Sequence, residues 1–212
     1  MDKTVSNYVR QTVAAREAFL QWEQARMIQQ FSLQHDDQFL YLPFFAEAYR
    51  ICRKTGRVER IQADGTGREG DFEEVFSIYD ALCREKKGTL SGRYCTVNSL
   101  PNVVRSSGLG DRLYDEAVGR FRGKTQELAR ACQQLGGVAE PGGDVAYRLP
   151  VFPFLPVILR FWDGDDEFAP QMRLLWDERT QEFVRYETTY YIVSHLLRRL
   201  EFLVSGVCRP AR

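Results

Sequence analysis

The stretch GDVAYRLPVFPFLPVILRFWDGDDEFAPQMRLLW, residues 143–176, decides the fold class. Three runs in it alternate with the two-residue period of a β-strand: Val145–Leu149, Val157–Trp162 and Gln171–Trp176. One face of the three carries Val145, Tyr147, Leu149, Val157, Leu159, Phe161, Met172, Leu174 and Trp176, all apolar or aromatic, and is read as core. The other face carries Ala146, Arg148, Ile158, Arg160, Trp162, Gln171, Arg173 and Leu175, so each strand brings one arginine to it. If Asp163–Pro170 joins two antiparallel strands, Arg160 falls opposite Arg173, and Arg148 falls near Arg160. The Pro150-x-x-Pro153-x-x-Pro156 spacing has apolar spacers, which suit a buried rigid turn better than a polyproline ligand.

Outward from this core, residues 4–34 read as one long helix without proline or glycine, its apolar face made of Val9, Val13, Leu20, Met27 and Phe31. Phe39–Phe45 reads as a strand, and Glu47–Cys52 and Arg57–Gln62 as a hairpin around Lys-Thr-Gly-Arg. A polar, glycine-rich loop is expected at 63–71. Helices are expected over 72–86, 111–135 and 188–204, with a short strand at 94–97. Gly119 and Gly123 mark a kink or break in the third helix. Strands and helices do not alternate regularly. The expected fold is therefore α+β, an antiparallel sheet packed against helices with a long N-terminal helix. The expected division is residues 1–36 as the N-terminal helix and 37–206 as a single α+β domain.

With 212 residues, 44% hydrophobic and 27% charged, the chain has the composition of a folded protein with its own core. Lys+Arg and Asp+Glu are both 29, and the formal net charge is +0. That balance argues against nucleic acid or an anionic membrane surface as partner. The longest apolar run, Val151–Trp162, is too short and too interrupted to span a bilayer. The N-terminus lacks the apolar core of a signal peptide, and a cytoplasmic location is expected. Cys52, Cys83, Cys95, Cys132 and Cys208 are scattered, without the spacing of a disulfide framework, a zinc site or an iron–sulfur cluster, so no metal is expected.

Three arginines in a row on one sheet face repel one another unless acids or a bound anion balance them. The plain reading is a solvated face balanced by nearby acids. The sharper reading is an anion-binding shelf, with Arg148, Arg160 and Arg173 gripping carboxylate or phosphate and Trp162 covering an apolar body. The acidic loop Asp163, Asp165, Asp166, Glu167 reads as a strand connection first, with a weak metal site as the alternative, and its acids are also candidates to pair with that row. Gly65-Thr-Gly67-Arg-Glu-Gly70 matches a dinucleotide fingerprint in letter only: the preceding run is not a buried strand, and Asp64, Glu69 and Asp71 would repel a pyrophosphate. His195 reads as a surface residue beside Tyr191 and Arg198, and His35 as the end of the first helix. Cys83 and Cys132 read as core thiols.

The run from Gly143 to Pro153 and the run from Pro156 to Pro170 resemble the domain of unknown function 3786 family. So do the Gly88-Thr-Leu-Ser-Gly segment with Ser99-Leu-Pro and the closing helix 191–200. The matched positions include Asp144, Arg148, Pro153, Trp162, Asp163, Gly164, Glu167, Phe168 and Pro170. The resemblance implies no assigned activity and no catalytic residue. Some members of that family carry an added four-cysteine iron–sulfur domain of a kind also seen in corrinoid iron–sulfur proteins, a context of anaerobic metabolism; this sequence has no such domain. The functional expectation is an accessory module that binds an anionic small molecule or cofactor, of unknown identity, on the arginine-lined face. The alternative is an interaction module that docks a redox or corrinoid/iron–sulfur partner, and the third is an enzyme of unidentified chemistry.

Overall fold

In a computed structural model, which describes residues 3–85, 88–101 and 117–206, the strands form two antiparallel sheets rather than one. The first is a meander of β1 (Gln34–His35), β2 (Phe39–Phe44), β3 (Glu47–Cys52), β4 (Val58–Ile61) and β5 (Gly67–Glu69) in sequential order. The second contains β6 (Tyr94–Thr96), β7 (Val138–Ala139), β8 (Val145–Phe152), β9 (Leu155–Trp162) and β10 (Gln171–Asp177), ordered β6-β10-β9-β8-β7. The helices are α1 (Lys3–Gln21), α2 (Gln24–Phe31), α3 (Phe72–Leu82), α4 (Thr125–Gln134) and α5 (Tyr186–Ser205). The fold is α+β.

The second sheet follows the period-two reading. Val145, Leu149, Val157, Leu159, Phe161, Leu174 and Trp176 are all buried on its inner face. Pro150 pairs with Pro156 across the β8–β9 hairpin, and a bulge between Pro150 and Phe152 tightens it. Val151, Phe152 and Leu155 are buried there, as expected of a rigid apolar turn.

The glycine-rich segment is a hairpin. Asp64 accepts the Thr66 N–H at 2.9 Å, and Ile61 pairs with Gly67, so β5 runs back along β4. The first two glycines of the motif thus sit in a β-hairpin rather than in a strand-to-helix phosphate loop, and the fingerprint reading ends here. Gly70 leads directly into Asp71, the N-cap of α3. The Asp71 carboxylate accepts the Glu74 N–H, and the Glu74 carboxylate accepts the Asp71 N–H.

Two helix expectations change. The 4–34 helix is two helices, broken where Glu23 turns extended and ended where Ser32 takes a left-handed φ of 51°. The break has a tertiary cause. Gln24 donates to the Arg53 carbonyl at 2.8 Å and accepts from Arg53 Nε at 3.1 Å, which ties α2 to the β3–β4 turn. The buried face of α1 is also rotated from the expected one. Val9 and Val13 are 57% and 46% exposed, while Phe19 is fully buried against the Tyr79 ring of α3, with centroids 5.4 Å apart. The third expected helix begins among residues outside the described set. Its described part breaks at the two glycines: Gly119–Phe121 is a 3-10 turn, Gly123 has φ 70°, and α4 starts at Thr125.

The two sheets meet at the β2–β3 hairpin tip. Phe45 donates its N–H to the Val151 carbonyl at 3.1 Å, and Phe44 stacks on Phe152 at 5.1 Å. α5 lies beside α3, and its first turn is capped from there. The Asp80 carboxylate accepts the Arg185 N–H at 2.6 Å and the Thr188 hydroxyl at 2.7 Å.

Candidate functional site

The outer face of the second sheet carries the arginines in the expected register. Arg160 pairs directly with Arg173 across β9–β10, and Ala146 flanks Arg160 on β8. Arg148 pairs with Ile158 and so sits one diagonal step away on the same face. Trp162, two residues along β9 from Arg160, pairs with Gln171. Residues directly opposed in an antiparallel sheet have Cβ atoms about 5 Å apart, so two guanidinium stems leave the sheet side by side.

The three arginines differ in what holds them. Arg148 is balanced, with its Nε 3.0 Å from the Glu140 carboxylate. Arg173 is exposed and stacks over Trp162, its guanidinium carbon 5.6 Å from the ring centroid. Arg160 is half-buried and lies against the Pro141-Gly142-Gly143 turn; a Cβ at Gly142 would stand 3.3 Å from the Arg160 Nε. That Nε is buried without a hydrogen-bond partner. Among the described residues neither Arg160 nor Arg173 has a carboxylate within ion-pair distance. Elsewhere Arg50, Arg60, Arg68, Arg198 and Arg199 all end on acids.

The acidic loop does not balance the row. Asp163 accepts the Gly123 N–H at 3.0 Å with both oxygens, tying the loop to the segment before α4. Asp165 accepts the Phe168 and Glu167 N–H groups at 2.7 and 2.8 Å, and those bonds, that of Phe168 foremost, hold its carboxyl below the usual range. The carboxylates of Asp163 and Asp165 are thus taken up by backbone N–H groups, and none of Asp163, Asp165, Asp166 or Glu167 pairs with Arg148, Arg160 or Arg173 among the described residues. Phe168 projects from this loop, 66% exposed.

A second polar cluster, which sequence reading misses, lies between α3, α5 and the first sheet. His195 is not on the surface: it is 2% exposed and stacked on Phe44, ring centroids 4.7 Å apart, with Phe45 at 6.0 Å. Burial, together with Arg198, Arg199, Arg60 and Arg68, pushes its imidazole well below the ordinary histidine range. The buried Glu74 carboxylate, 3.9 Å from His195 Nδ1, accepts the Tyr49 hydroxyl at 2.6 Å and Arg68 Nη2 at 2.7 Å. Beside it, Arg198 joins Asp71 at 3.0 Å and Glu73 at 2.5 Å. Asp71, Glu74 and His195 offer ligand-type atoms within 4.8 Å of one another. Their oxygens are already engaged by Arg68, Arg198, Tyr49 and the α3 cap, and a cation there would face two guanidiniums. This donor set reads as scaffold rather than metal centre. The only sequence signal was the Asp71-Phe-Glu-Glu74 capping pattern, which marks a helix start and not its burial.

His35 lies exposed on β1 rather than at a helix end. Cys132 is buried and Cys83 half-buried, and burial pushes each thiol up to about 12. Cys208 lies outside the described residues. Clefts lined by described residues lie away from the arginine row. One, of about 320 Å³, runs between α1 and α3 along Ala14, Ala15, Ala18, Phe76 and Tyr79. Another, of about 420 Å³, lies between the end of α2 and the β2–β3 hairpin. Among the described residues no helix is long and apolar enough to cross a membrane.

Comparison with curated proteins and with solved structures returns no match. A family model described as Domain of unknown function (DUF3786) matches residues 23–199, which takes in both sheets, the arginine row and the α3–α5 cluster but leaves out α1. The chain belongs to the DUF3786 family.

Proposed function

We propose that this chain is a cytoplasmic accessory module that binds an anionic small molecule or cofactor on the outer face of its second sheet. Arg160 and Arg173 form the grip, Arg148 stands at its flank, and Trp162 covers an apolar body of the ligand. One observation carries the reading: two arginines face each other in register, with no carboxylate on either among the described residues. Opposed like charges destabilise a sheet, and no acid among the described residues offsets these two. A bound anion would.

The test is thermal unfolding with a panel of anions at constant ionic strength. A saturating ligand, at about a hundred times its Kd, raises the unfolding temperature by about 5–10 °C in a protein of this size. That rise vanishes in the Arg160→Gln/Arg173→Gln double variant. No rise with any anion, or an equal rise in the variant, rejects the proposal.

The exposed Phe168, together with Val138 at 56% exposure on the edge strand β7, favours a second reading. In it the same sheet docks a redox or corrinoid/iron–sulfur partner in anaerobic metabolism, with these two side chains at the contact. Phe168→Asp weakens such docking and leaves small-anion binding intact.

A further inference from the structure

We infer that the ligand of the arginine face is a phosphomonoester, a tetrahedral dianion, rather than a carboxylate; this rests on the proposal above. The argument starts from the number of acceptor oxygens. A guanidinium is a planar fork that takes two oxygens at once. A carboxylate has one edge of two oxygens, so two forks cannot both pair with it edge to edge and share it only through single contacts, as Arg60 and Arg199 share Glu47. Arg160 and Arg173 are two forks on neighbouring strands, about 5 Å apart at their roots. A phosphomonoester offers three terminal oxygens and therefore more than one edge.

Charge leads to the same class. Two guanidiniums with no acid on them among the described residues present two positive charges. A phosphomonoester above its second pKa of about 6 brings close to two negative ones. Arg148 does not add a third free charge, because Glu140 already holds it. Both forks are also positioned before any ligand arrives, Arg160 against Gly142 and Arg173 over Trp162, so little side-chain freedom is lost on binding. The Trp162 indole is half-buried with one face under the Arg173 guanidinium, and the apolar rim it leaves exposed beside the phosphate position suits an ester carrying an aromatic group.

Isothermal titration of the full chain at pH 7.5 with phenyl phosphate, benzoate and isophthalate separates these features. Benzoate has the ring and one planar charge, and isophthalate the ring and two planar charges. Phenyl phosphate is expected to bind at least tenfold more tightly than either. Its affinity is expected to fall at least tenfold in Arg160→Lys and in Arg173→Gln, since lysine keeps the charge but loses the fork. Binding is also expected to weaken below pH 6, where the phosphate takes up a proton. If benzoate or isophthalate binds as tightly as phenyl phosphate and shows the same arginine dependence, the phosphate assignment is overturned while the anion-binding module stands. If phenyl phosphate fails to bind, or binds equally to both variants, this inference falls; failure of all three anions counts against the binding module as well. Arg173 is exposed on its strand, so Arg173→Gln keeps the test decisive should the Arg160 variant not fold.

Discussion

His195 is the residue whose surroundings make the sharpest demand on solution conditions. Its imidazole is enclosed by Phe44 and Phe45, with Glu74 on one side and Arg60, Arg68, Arg198 and Arg199 around it. Burial first, then those guanidiniums, keep it neutral in the folded chain. In the unfolded chain it titrates near 6.5. Below that pH the unfolded state binds a proton that the folded state refuses, so stability rises with pH across this window. It is fully present above the unfolded value and is lost as pH falls below it, by up to about 1.4 kcal/mol per pH unit. Glu73 acts in the opposite sense in the carboxylate range, because burial raises its carboxyl against the pull of Arg198. Urea unfolding from pH 7.5 to 5 should show the loss, and a flatter profile is expected in His195→Phe. An equal slope in both would show that His195 is not the group responsible. Helical spacing places His195 with Tyr191 and Arg198, and so on the polar side. The partners that bury it come from residues about 120 to 150 positions earlier, and no local pattern announces them.

At the level of elements, the second sheet was readable because alternation and burial agree at every inner position from Val145 to Trp176. The outer face was readable as register, since one connection length put Arg160 opposite Arg173. The balance of the arginine row was not readable. It depends on whether the acids of the 163–167 loop turn toward side chains or toward backbone N–H groups, and local turn geometry decides that. The β2–β3 turn shows the same limit. Phe45 and Ala46 both have positive φ, 49° and 59°, where a two-residue hairpin ordinarily uses Asn-Gly. Neither residue favours that conformation. Phe45 is held in it by its bond to Val151 and by its buried ring. Ala46 is exposed, with its methyl lying against Gly136, so backbone strain is the main difference from glycine. Ala46→Gly is expected to stabilise the chain by about 1 kcal/mol in urea unfolding. A loss of stability would mean the methyl group contributes packing that outweighs the backbone strain.

At the scale of the whole molecule, the family match begins at residue 23, yet the core begins earlier. Phe19 is fully buried on Tyr79, and the Tyr79 hydroxyl in turn bonds the Gly56 carbonyl in the β3–β4 turn. Arg16 reaches Glu69 on β5 at 3.6 Å. Small side chains at Ala14, Ala15 and Ala18 line the cleft between α1 and α3. α1 therefore braces the first sheet and α3 together, while Phe44, Phe45, Phe152 and Val151 join the first sheet to the second. These links form one connected core, so a cavity opened at one end should weaken the other. Phe19→Ala removes a large buried ring and is expected to cost about 3–5 kcal/mol. The loss should appear as a single transition, with the near-ultraviolet signal of Trp176, in the far sheet, followed in a Trp22→Phe/Trp162→Phe background and moving together with far-ultraviolet ellipticity. If the Trp176 environment instead survives past a first transition, α1 and the first sheet unfold as a separate unit and the bracing role of α1 is refuted.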